Sequence, residues 1–425
     1  MHAYRGARGW REVLVLATLA GCGGGAGDEG GSSSSAASTS TVAPLPTTTD
    51  GTETTAMSTA MNSATSTSTS ASSSTAADHP STGDSDEGSS ASGEQTGPPP
   101  LADVAVFLAQ GHYGRTTISC DDGKTWVQDR SEDDAARCFT GDLDCDHDAF
   151  AARGIAWGDG QIVLTWGWGK PGTLVRSEDA ASFVPVMTET PTFADVAFGN
   201  GRFVANNSAT SISDDGGKTW QAGGPLDIGI NTRAIEFVPQ NGGVFIVTGE
   251  SGEQRAIVRS PDGVTWTPAS QRSPECGMYV IGIAHGGDVT VVASGTGFIC
   301  RSPDAGDTWT QVPVAGGFSS PPVWTGSEFF VYQGNVLHRS ATGEVWTSEP
   351  LMPASTSIGQ VARSPEGTFV AVNDGWQTWY EQQRFFRSTD GKTWEQLGAG
   401  TYVGSHPIYF MAHGTVPAGA GCPGG

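Results

Sequence analysis

The first quarter of this 425-residue chain has almost nothing from which to build a folded core. Residues 23–100 contain no lysine, no arginine and no aromatic residue, and hardly any large aliphatic residue. Most of this segment is Ser, Thr, Ala and Gly. Such a composition cannot bury enough apolar surface to offset the entropy lost on folding. We therefore expect residues 23–100 to form a disordered linker with a root-mean-square span of roughly 50 Å.

Basic residues are scarce in the whole chain, which has 22 Lys and Arg against 45 Asp and Glu, for a formal net charge of −23. Residues 101–425 alone carry 35 acidic and 19 basic residues. Nucleic acids and anionic lipid surfaces both attract concentrated positive charge. The charge balance therefore argues against nucleic acid as a partner, and it is equally well explained by solubility alone.

No apolar run reaches the length of about 20 residues that a membrane-spanning helix needs. The N-terminus instead combines three arginines with the short apolar run Val13 to Ala20. This order is typical of a secretory signal. The sequence Leu-Ala-Gly-Cys that ends at Cys22 resembles a bacterial lipobox, which implies a signal peptide over residues 1–22 and lipidation of the Cys22 thiol.

An aspartate directly after the lipidated cysteine is associated with retention in the inner membrane. This chain has Gly23 at that position, so the resemblance favours the outer membrane. We expect an extracytoplasmic protein held at the membrane only by its lipid anchor. A plain secreted protein with a chance cysteine at position 22 is the alternative.

A short pattern, Ser-any-Asp-any-Gly-any-Thr-Trp, recurs seven times and is here called the box. Its closing aromatic residues are 37 to 57 residues apart, the period of one four-stranded propeller blade. Residues 101–425 therefore form one domain of seven blades. Full copies begin at Ser119, Ser213 and Ser302, copies one residue shorter begin at Ser260 and Ser388, and decayed copies surround Asp179 and Thr342.

Apolar hairpins precede the boxes, but the first blade lacks its own first strand. Val104 to Gln110 supplies the second strand of that blade, and nothing upstream supplies the first. Pro407 to Gly414 looks like a first strand with no second strand after it. We therefore predict an all-β fold, a single seven-bladed β-propeller whose C-terminal strand joins the N-terminal blade. Closure of the ring removes exposed sheet edges.

The box resembles the Asp-box, or BNR, repeat of sialidase-like propellers, and the resemblance covers essentially all of residues 101–425. The carboxylate of such a turn accepts hydrogen bonds from backbone amides, the glycine takes a positive φ, and the tryptophan packs between blades. We expect five structural, non-catalytic box aspartates, namely Asp121, Asp215, Asp262, Asp304 and Asp390. Looser turns are expected where Thr342 replaces the aspartate, and where Ala181 and Phe183 stand for the glycine and tryptophan.

Six cysteines follow Cys22, an even number that is typical of disulfides in an exported protein. Topology favours the first pair, because Cys120 and Cys422 both belong to the blade that the two chain ends share. The second pair shares one loop, and the third is left by elimination; some of the six are alternatively buried thiols. The expected pairs are Cys120 with Cys422, Cys138 with Cys145, and Cys276 with Cys300.

Strand direction places the loops between second and third strands, and the crossings between blades, on the face opposite the boxes, here called the loop face. Aromatic residues cluster in the loops of blades seven, one and two, which closure makes neighbours. Exposed rings stack on sugars or anchor peptides, whereas packing among themselves is the alternative. The ligand-binding candidates are His112, Tyr113, Arg115, His147, Asp148, Trp168, Trp376, Trp379, Tyr380 and His406.

The crossing from the first to the second blade is rich in acids, with Asp142, Asp144, Asp146 and Asp148 at alternate positions. This pattern resembles the opening of a calcium loop, although His147 and Arg153 stand where that loop needs glycine and glutamate. Ca²⁺ is thus the one candidate cofactor, and none is firmly implied. A solvated acidic loop, or a hydrogen-bonded pair of His147 and Asp148, is the alternative.

A catalytic site is the alternative to a binding site, and the two would share several residues. A sialidase needs an arginine cluster for the substrate carboxylate, a tyrosine nucleophile and an acid. The available groups are Arg115, Arg153, Arg233, Tyr113, Tyr402 and Asp148. The Arg-Ile-Pro motif that accompanies such sialidases is absent. Glycosidases with two carboxylates and Asp-box repeats join two propellers, and this chain has one.

Single seven-bladed assembly factors of the photosystem II type bind proteins without catalysis, but they carry a basic patch that this acidic chain lacks. We expect a surface-tethered, monomeric, non-catalytic binding or scaffold propeller that recognises a glycan or a protein through the aromatic sector of the loop face. A sialidase-like glycoside hydrolase is the alternative.

Overall fold

A computed structural model describes residues 103–111, 116–128, 152–166, 172–190, 192–226, 231–251, 254–314, 316–373, 384–398 and 408–417, with Gly419 and Cys422. In these ranges the chain forms 29 β-strands and one short 3-10 helix, Gln240–Gly242. None of the helical structure in the described ranges is long and apolar enough to cross a membrane.

The strands form seven sheets, one for each predicted blade, and all their pairings but one are antiparallel. Blade 1 contains β1 (Val104–Gly111), β2 (Thr116–Ser119), β3 (Val127–Gln128) and, from the other end of the chain, β29 (Ile408–Val416). Blade 2 contains β4 (Ala152–Gly158), β5 (Gln161–Trp166), β6 (Gly172–Ser177) and β7 (Val184–Thr190). Blade 3 contains β8 (Asp195–Gly199), β9 (Arg202–Asn206), β10 (Ala209–Ser213) and β11 (Gln221–Pro225).

The second half of the ring follows the same plan. Blade 4 contains β12 (Asn231–Val238), β13 (Val244–Ser251), β14 (Gln254–Ser260) and β15 (Thr267–Pro268). Blade 5 contains β16 (Gln271–Arg272), β17 (Val280–Gly286), β18 (Val289–Ser294), β19 (Ile299–Ser302) and β20 (Thr308–Val312). Blade 6 contains β21 (Val323–Trp324), β22 (Phe329–Gln333), β23 (Val336–Ser340) and β24 (Thr347–Pro350), and blade 7 contains β25 (Ile358–Arg363), β26 (Phe369–Asn373), β27 (Phe385–Ser388) and β28 (Glu395–Gln396).

The first strands of the blades contact one another in a closed series, β29, β4, β8, β12, β17, β21, β25 and back to β29. These strands form the inner ring, and the later strands of each blade lie outward in order. The apolar cores lie between neighbouring blades, as where Trp126 of blade 1 packs on Phe385 of blade 7 at 4.7 Å between ring centroids. The predicted seven-bladed propeller is confirmed.

The ring closes where the sequence predicts it. Strand β29 pairs antiparallel with β1, from Val104 opposite Val416 to Gly111 opposite Ile408. A disulfide between Cys120 and Cys422 ties the same two ends of the chain, with 5.8 Å between the Cα atoms. A second disulfide joins Cys276 to Cys300. Both are expected pairs, whereas the expected pair Cys138 and Cys145 lies outside the described residues.

Each well-formed box is a polar turn closed by its aspartate. In blade 5, Asp304 accepts hydrogen bonds from the Ser302 hydroxyl and the Thr308 amide at 2.9 and 2.8 Å, and from the Thr308 hydroxyl at 2.7 Å. The Trp309 indole then donates to the Gly306 carbonyl at 2.9 Å. The same indole bond recurs in the boxes that end at Trp220, Trp266, Trp346 and Trp394.

The two decayed boxes differ from each other. In blade 2, Asp179 still accepts the amides of Ala181 and Ser182 at 2.9 and 2.7 Å, and Ala180 takes the positive φ of 56°. The expectation of a looser turn there is wrong, because Ala180 and not Ala181 occupies the glycine position. In blade 6, the Thr342 hydroxyl accepts the Glu344 amide at 3.3 Å, and the Ser340 hydroxyl has no hydrogen-bond partner among the described residues.

Among the described residues, six of the seven box turns also accept a hydrogen bond from a side chain of the preceding blade. Arginine side chains just before a box donate to carbonyls of the next box, as Arg176 does to Gly216 at 2.9 Å and Arg301 to Thr342 at 2.8 Å. Other boundaries use Arg202 to Asp262, Gln240 to Pro303, Tyr332 to Gly391 and Arg387 to Asp122. The boxes therefore join blades as well as turning the chain.

Glycines let the inner strands approach closely. A Cβ at any of four glycines would lie 2.0–2.3 Å from an aromatic ring of the next blade, which real Cβ atoms do not tolerate. The pairs are Gly414 with Trp157, Gly158 with Phe198, Gly199 with Phe237 and Gly286 with Trp324. The inner ring is thus packed by one repeated contact.

Blade 5 has a fifth strand that the sequence pattern does not indicate. The two residues of β16 run parallel to β20, with Gln271 opposite Thr308 and Arg272 opposite Trp309. After β16, the Arg272 guanidinium donates to the carbonyl of Cys276 at 3.1 Å, and the Cys276–Cys300 disulfide holds the crossing against β19. The crossing that leads into β17 is therefore fixed at several points.

We predict that replacing both Cys120 and Cys422 by serine lowers the free energy of unfolding by about 2–4 kcal/mol, because the bond closes a loop of most of the domain. Urea unfolding under non-oxidising and oxidising conditions measures the loss. The control Val345→Ser, at a side chain 75% exposed, should change stability by less than about 0.5 kcal/mol. Unchanged stability of the double variant would show that the disulfide is dispensable for closure.

Candidate functional site

The aromatic and acidic candidates of the loop face lie outside the described residues. The ring order does place blades 7, 1 and 2 side by side, as the sequence predicts. The positions outside the described ranges are Cys22, His112, Tyr113, Arg115, Asp142, Asp144, Asp146, His147, Asp148, Trp168, Trp376, Trp379, Tyr380, Tyr402 and His406. Their roles stay predictions.

The described residues reveal a different polar site, on the inner ring. Six side chains lie on or beside the first strands of blades 2 to 5, mostly at their loop-face ends. We call this group the axial cluster, and it consists of Arg153, Asp195, Arg233, Glu236, Glu250 and Tyr279. Charged side chains in this position interrupt strands that are otherwise apolar and glycine-rich.

Asp195, the first residue of β8, contacts three blades. One carboxylate oxygen accepts the Val196 amide at 2.9 Å, and the other accepts the Ile235 amide of blade 4 at 3.2 Å. Strand β12 has a register shift between Thr232 and Ile235, which turns this amide away from β13. On the other side, Gly154 of blade 2 leaves the space that the carboxylate fills, because a Cβ there would lie 2.1 Å from its oxygen.

Arg233 links blade 4 to blade 5 through Glu250 and Tyr279. The guanidinium pairs with Glu250 at 2.8 Å, and the other oxygen of Glu250 accepts the Tyr279 backbone amide. The guanidinium also lies 4.7 Å above the Tyr279 ring centroid, within the range of a cation–π contact. The Arg233 and Glu250 side chains are 25% and 14% exposed, so the pair is only partly screened by water.

Tyr279 is held in an uncommon backbone conformation, with φ at 48°. Bulky residues rarely adopt this region, and such strain concentrates at functional sites. The surroundings support the conformation: the Gly295 amide donates to the Tyr279 carbonyl at 3.0 Å, and a Cβ at Gly295 would lie 2.8 Å from the tyrosine ring. The ring position is therefore fixed before any ligand arrives.

Arg153, on the inner strand of blade 2, also interacts with this cluster. Burial and the neighbouring charge of Arg233 lower the pKa of Arg153 to about 10, while Asp195 and Tyr279 act in the opposite direction. Burial raises the pKa of Tyr279, and both Arg233 and Arg153 oppose that effect. Side chains from blades 2, 4 and 5 thus act on one another electrostatically near the axis of the ring.

Two carboxyl groups of the cluster hold protons near neutral pH. Burial raises the pKa of Asp195 to about 7, despite its two backbone hydrogen bonds and the charge of Arg153. Burial and the charge of Asp195 together raise the pKa of Glu236 to about 8. Both groups are partly exposed but enclosed by neighbouring strands, which explains why water stabilises their charged forms poorly. Strongly shifted groups of this kind mark candidate functional sites.

The arrangement suits binding better than metal coordination. Within the described ranges, no three His, Cys, Asp or Glu side chains are grouped so that they would hold a metal ion. Arginine forks bind carboxylates and other oxyanions, and a fixed aromatic ring offers a flat contact surface. The axial cluster is therefore equipped to hold a polar ligand at the centre of the loop face.

Sequence reasoning names two members of the cluster, Arg153 and Arg233, as candidates for an arginine cluster. It misses Asp195, Glu236, Glu250 and Tyr279. A signal was present for the first two, because Asp195 opens the strand Asp-Val-Ala-Phe and Glu236 interrupts Ala-Ile-Glu-Phe in first strands that face the ring axis. Glu250 and Tyr279 give no such signal, since only the three-dimensional arrangement brings them to Arg233.

Comparison with known proteins gives only remote structural similarity, with TM-scores below 0.5 for the structures named here. No protein-family model matches the chain, and no curated protein matches it. YCF48 from Cyanidioschyzon merolae is 14% identical, with a TM-score of 0.45 over 60% of this chain and 87% of that one. Virginiamycin B lyase from Staphylococcus aureus is 14% identical, with a TM-score of 0.47 over 60% and 85%. A protein from Lactobacillus plantarum is 12% identical, with a TM-score of 0.48 over 73% and 99%.

We predict that Gly154→Ala disrupts the loop-face end of blades 2 to 4, because its Cβ would collide with the side chain and backbone of Asp195. The expected loss is about 1–3 kcal/mol of unfolding free energy, measured by urea unfolding. Gly398→Ala is the matched control, since nothing lies within 4 Å of a Cβ at that position. Equal stability of the two variants would contradict the packing of Asp195 against blade 2.

We also predict that the protein loses stability as the pH rises from about 5.5 to 8.5. The folded pKa values of Asp195 and Glu236 lie above their unfolded values, so their protons stabilise the folded state at low pH, and this contribution disappears as the pH passes through about 7 and 8. The expected loss is on the order of 2 kcal/mol. Urea midpoints across this range measure it.

Glu236→Gln should remove much of that pH dependence, because the amide resembles the protonated acid. Glu395→Gln, on the exposed strand β28, is the control and should leave the dependence unchanged. A wild-type midpoint that stays flat between pH 5.5 and 8.5 would mean that neither carboxyl titrates in this window.

Proposed function

We propose that this protein is a non-catalytic binding or scaffold propeller that recognises a glycan or a protein on its loop face. In this proposal the lipidated Cys22 tethers it to the bacterial outer membrane, and residues 23–100 hold the propeller away from the surface. An acidic group of the ligand binds at the axial cluster. In this proposal the acidic domain acts as a monomer and does not bind nucleic acid.

The observation that carries the proposal is the Arg233 guanidinium of blade 4 lying 4.7 Å from the ring centroid of Tyr279 of blade 5, with Arg153 of blade 2 near enough to interact electrostatically with both. Bringing two guanidinium groups together in a partly desolvated place costs free energy, as the lowered pKa of Arg153 indicates. A ligand that accepts hydrogen bonds from the arginines would recover it.

Binding is favoured over catalysis by what the carboxylates already do. Asp195 accepts two backbone amides, and Glu250 is engaged by Arg233 and by the Tyr279 amide. A catalytic acid or base must exchange its proton in each cycle. Groups whose oxygens fasten one blade to the next are poorly placed for that exchange. Glu236 is the one carboxyl group of the cluster for which the described residues provide no hydrogen-bond partner.

The aromatic sector supplies a second region of contact in this proposal. Arg153 lies on β4 of blade 2, and the sequence predicts Trp168 in the loop between the second and third strands of the same blade. Trp376 and Trp379 of blade 7 would extend the surface on the other side of blade 1. A ligand with an acidic group and a flat apolar face would use both regions.

We predict that the full-length protein binds selected acidic members of a glycan or peptide array, and that Arg233→Gln weakens this binding at least tenfold. The physical reason is the loss of a charged, bidentate donor worth about 1.5–3 kcal/mol. Arg339→Gln is the matched control, because Arg339 also pairs with a glutamate but lies on blade 6, with its side chain 43% exposed. Biolayer interferometry on the array hits measures both variants.

Equal binding by wild type and Arg233→Gln would remove the axial cluster from the site. Weakened binding by Trp376→Ala alone would then leave the aromatic sector as the recognition surface. Release of free sugar from a bound glycan, abolished by Glu236→Gln, would replace the binding proposal with the glycoside hydrolase.

A further inference from the structure

Blade 6 contains a hydrogen-bonded chain of three side chains that the proposed function does not use. Gln333 ends β22, His338 lies on β23, and Ser348 lies on β24, the outermost strand of the blade. His338 and Ser348 are directly opposite in the β23–β24 pair, so their side chains share one side of the sheet. The Ser348 hydroxyl lies 2.8 Å from Nδ1 of His338, and Oε1 of Gln333 lies 3.1 Å from Nε2.

These two contacts define the proton positions on the imidazole. A neutral imidazole has one N–H donor and one lone pair. Oε1 of Gln333 accepts the Nε2 proton, which leaves the lone pair on Nδ1 to accept the Ser348 hydroxyl. Burial lowers the pKa of His338, so the imidazole is neutral near pH 7. The Ser348 hydroxyl therefore has a free base within hydrogen-bonding distance.

The base is buried and held in place, whereas the hydroxyl is accessible. His338 is only 4% exposed, and the Phe318 ring meets its imidazole edge-on, with 5.3 Å between the centroids. Gly316 packs against the Gln333 amide, because a Cβ there would lie 2.1–2.3 Å from three of its atoms. Ser348 is exposed. A reagent in solution can thus reach a hydroxyl whose base is already oriented.

A hydroxyl bonded to a base that a third group orients is the arrangement that activates a serine as a nucleophile. The alternative is a structural role, in which the Ser348 hydroxyl satisfies a buried ring nitrogen. The two roles differ in how the hydroxyl responds to an electrophile. Chemical reactivity therefore distinguishes them.

We propose that Ser348 is a reactive serine that accepts the acyl group of an activated ester, with His338 as general base and Gln333 as positioning residue. The Ser348 oxygen forms a bond to the carbonyl carbon while its proton passes to Nδ1 of His338. The bond between that carbon and the ester oxygen then breaks, and the leaving alcohol or phenol takes the proton. This single acylation step goes beyond the proposed binding function and does not involve the axial cluster.

The test treats the full-length protein with p-nitrophenyl acetate near pH 7 and follows acetylation of each serine by peptide mapping and mass spectrometry. Ser327 is the internal reference, because it is exposed on the same blade and its hydroxyl neighbours Thr325 at 3.4 Å. General-base catalysis contributes about 10²–10⁴-fold, so Ser348 should be acetylated at least about 100-fold faster than Ser327. Equal rates at the two serines would overturn the proposal without the use of any variant.

Variants assign the roles of the two partners. His338→Gln should lower acetylation of Ser348 to the rate of Ser327, because the base is lost. Gln333→Ala should lower it in part, and Gln333→Glu should restore at least the wild-type rate, because a carboxylate accepts the same Nε2 proton and stabilises the imidazolium. His285→Gln is the matched control and should change nothing, since His285 bonds at 3.1 Å to the buried Thr290.

Thermal unfolding of each variant checks that the fold is retained. Unchanged acetylation of Ser348 in folded His338→Gln would show that the imidazole is not the base, and the proposal would fail. If His338→Gln does not fold, the wild-type comparison with Ser327 and the two Gln333 variants decide. Equal rates in Gln333→Ala, Gln333→Glu and wild type would reject Gln333 as a positioning residue. None of these results bears on ligand binding at the axial cluster.

Discussion

The pairing of β29 with β1 is the interaction on which the rest of the structure depends. It makes the last strand of the chain the innermost strand of the first blade, and so fixes both the number and the order of the blades. Arg153, Arg233 and Tyr279 belong to blades 2, 4 and 5, whose inner strands follow one another around the ring.

The two faces of the ring have different tasks. On the box face, an aspartate accepts backbone amides in six of the seven polar turns, and six of the turns accept a donor from the blade before them. These hydrogen bonds hold neighbouring blades together. On the loop face, the axial cluster brings arginines and carboxyl groups together with their pKa values displaced. The box face therefore stabilises the ring, whereas the charged groups of the proposed binding site lie on the loop face.

Repetition explains how much of the fold the sequence could predict. Seven boxes in register define seven blades, and the unmatched strand at each end of the domain predicts the closure and the Cys120–Cys422 pair. Strand β16 escapes prediction because two residues carry no periodic signal, and its parallel pairing is long-range. The blade 2 turn was misjudged because Ala180 adopts the positive φ that the pattern reserves for glycine. The tight contacts of Gly154 and Gly414 likewise depend on neighbours that are distant in sequence.

The candidate site was less predictable, for a physical reason. Periodic patterns report which residues face a core, whereas the axial cluster depends on side chains from separate blades converging on one axis. Arg153 and Arg233 are visible as isolated arginines, but the bulge in β12 that frees the Ile235 amide for Asp195 has no sequence signature. The strained Tyr279 backbone also has no sequence signature, because nothing in Met-Tyr-Val indicates a left-handed conformation.

The distance along the chain between β1 and its partner has a consequence for biosynthesis. About 300 residues separate the two cysteines of the closing blade, and at roughly 5–20 residues per second a ribosome takes on the order of 15–60 s to make them. Throughout that interval the apolar strand at Val104 has an unsatisfied edge, open to pairing with any other nascent chain. One edge of β1 therefore stays unpaired until the nine residues of β29 have been synthesised.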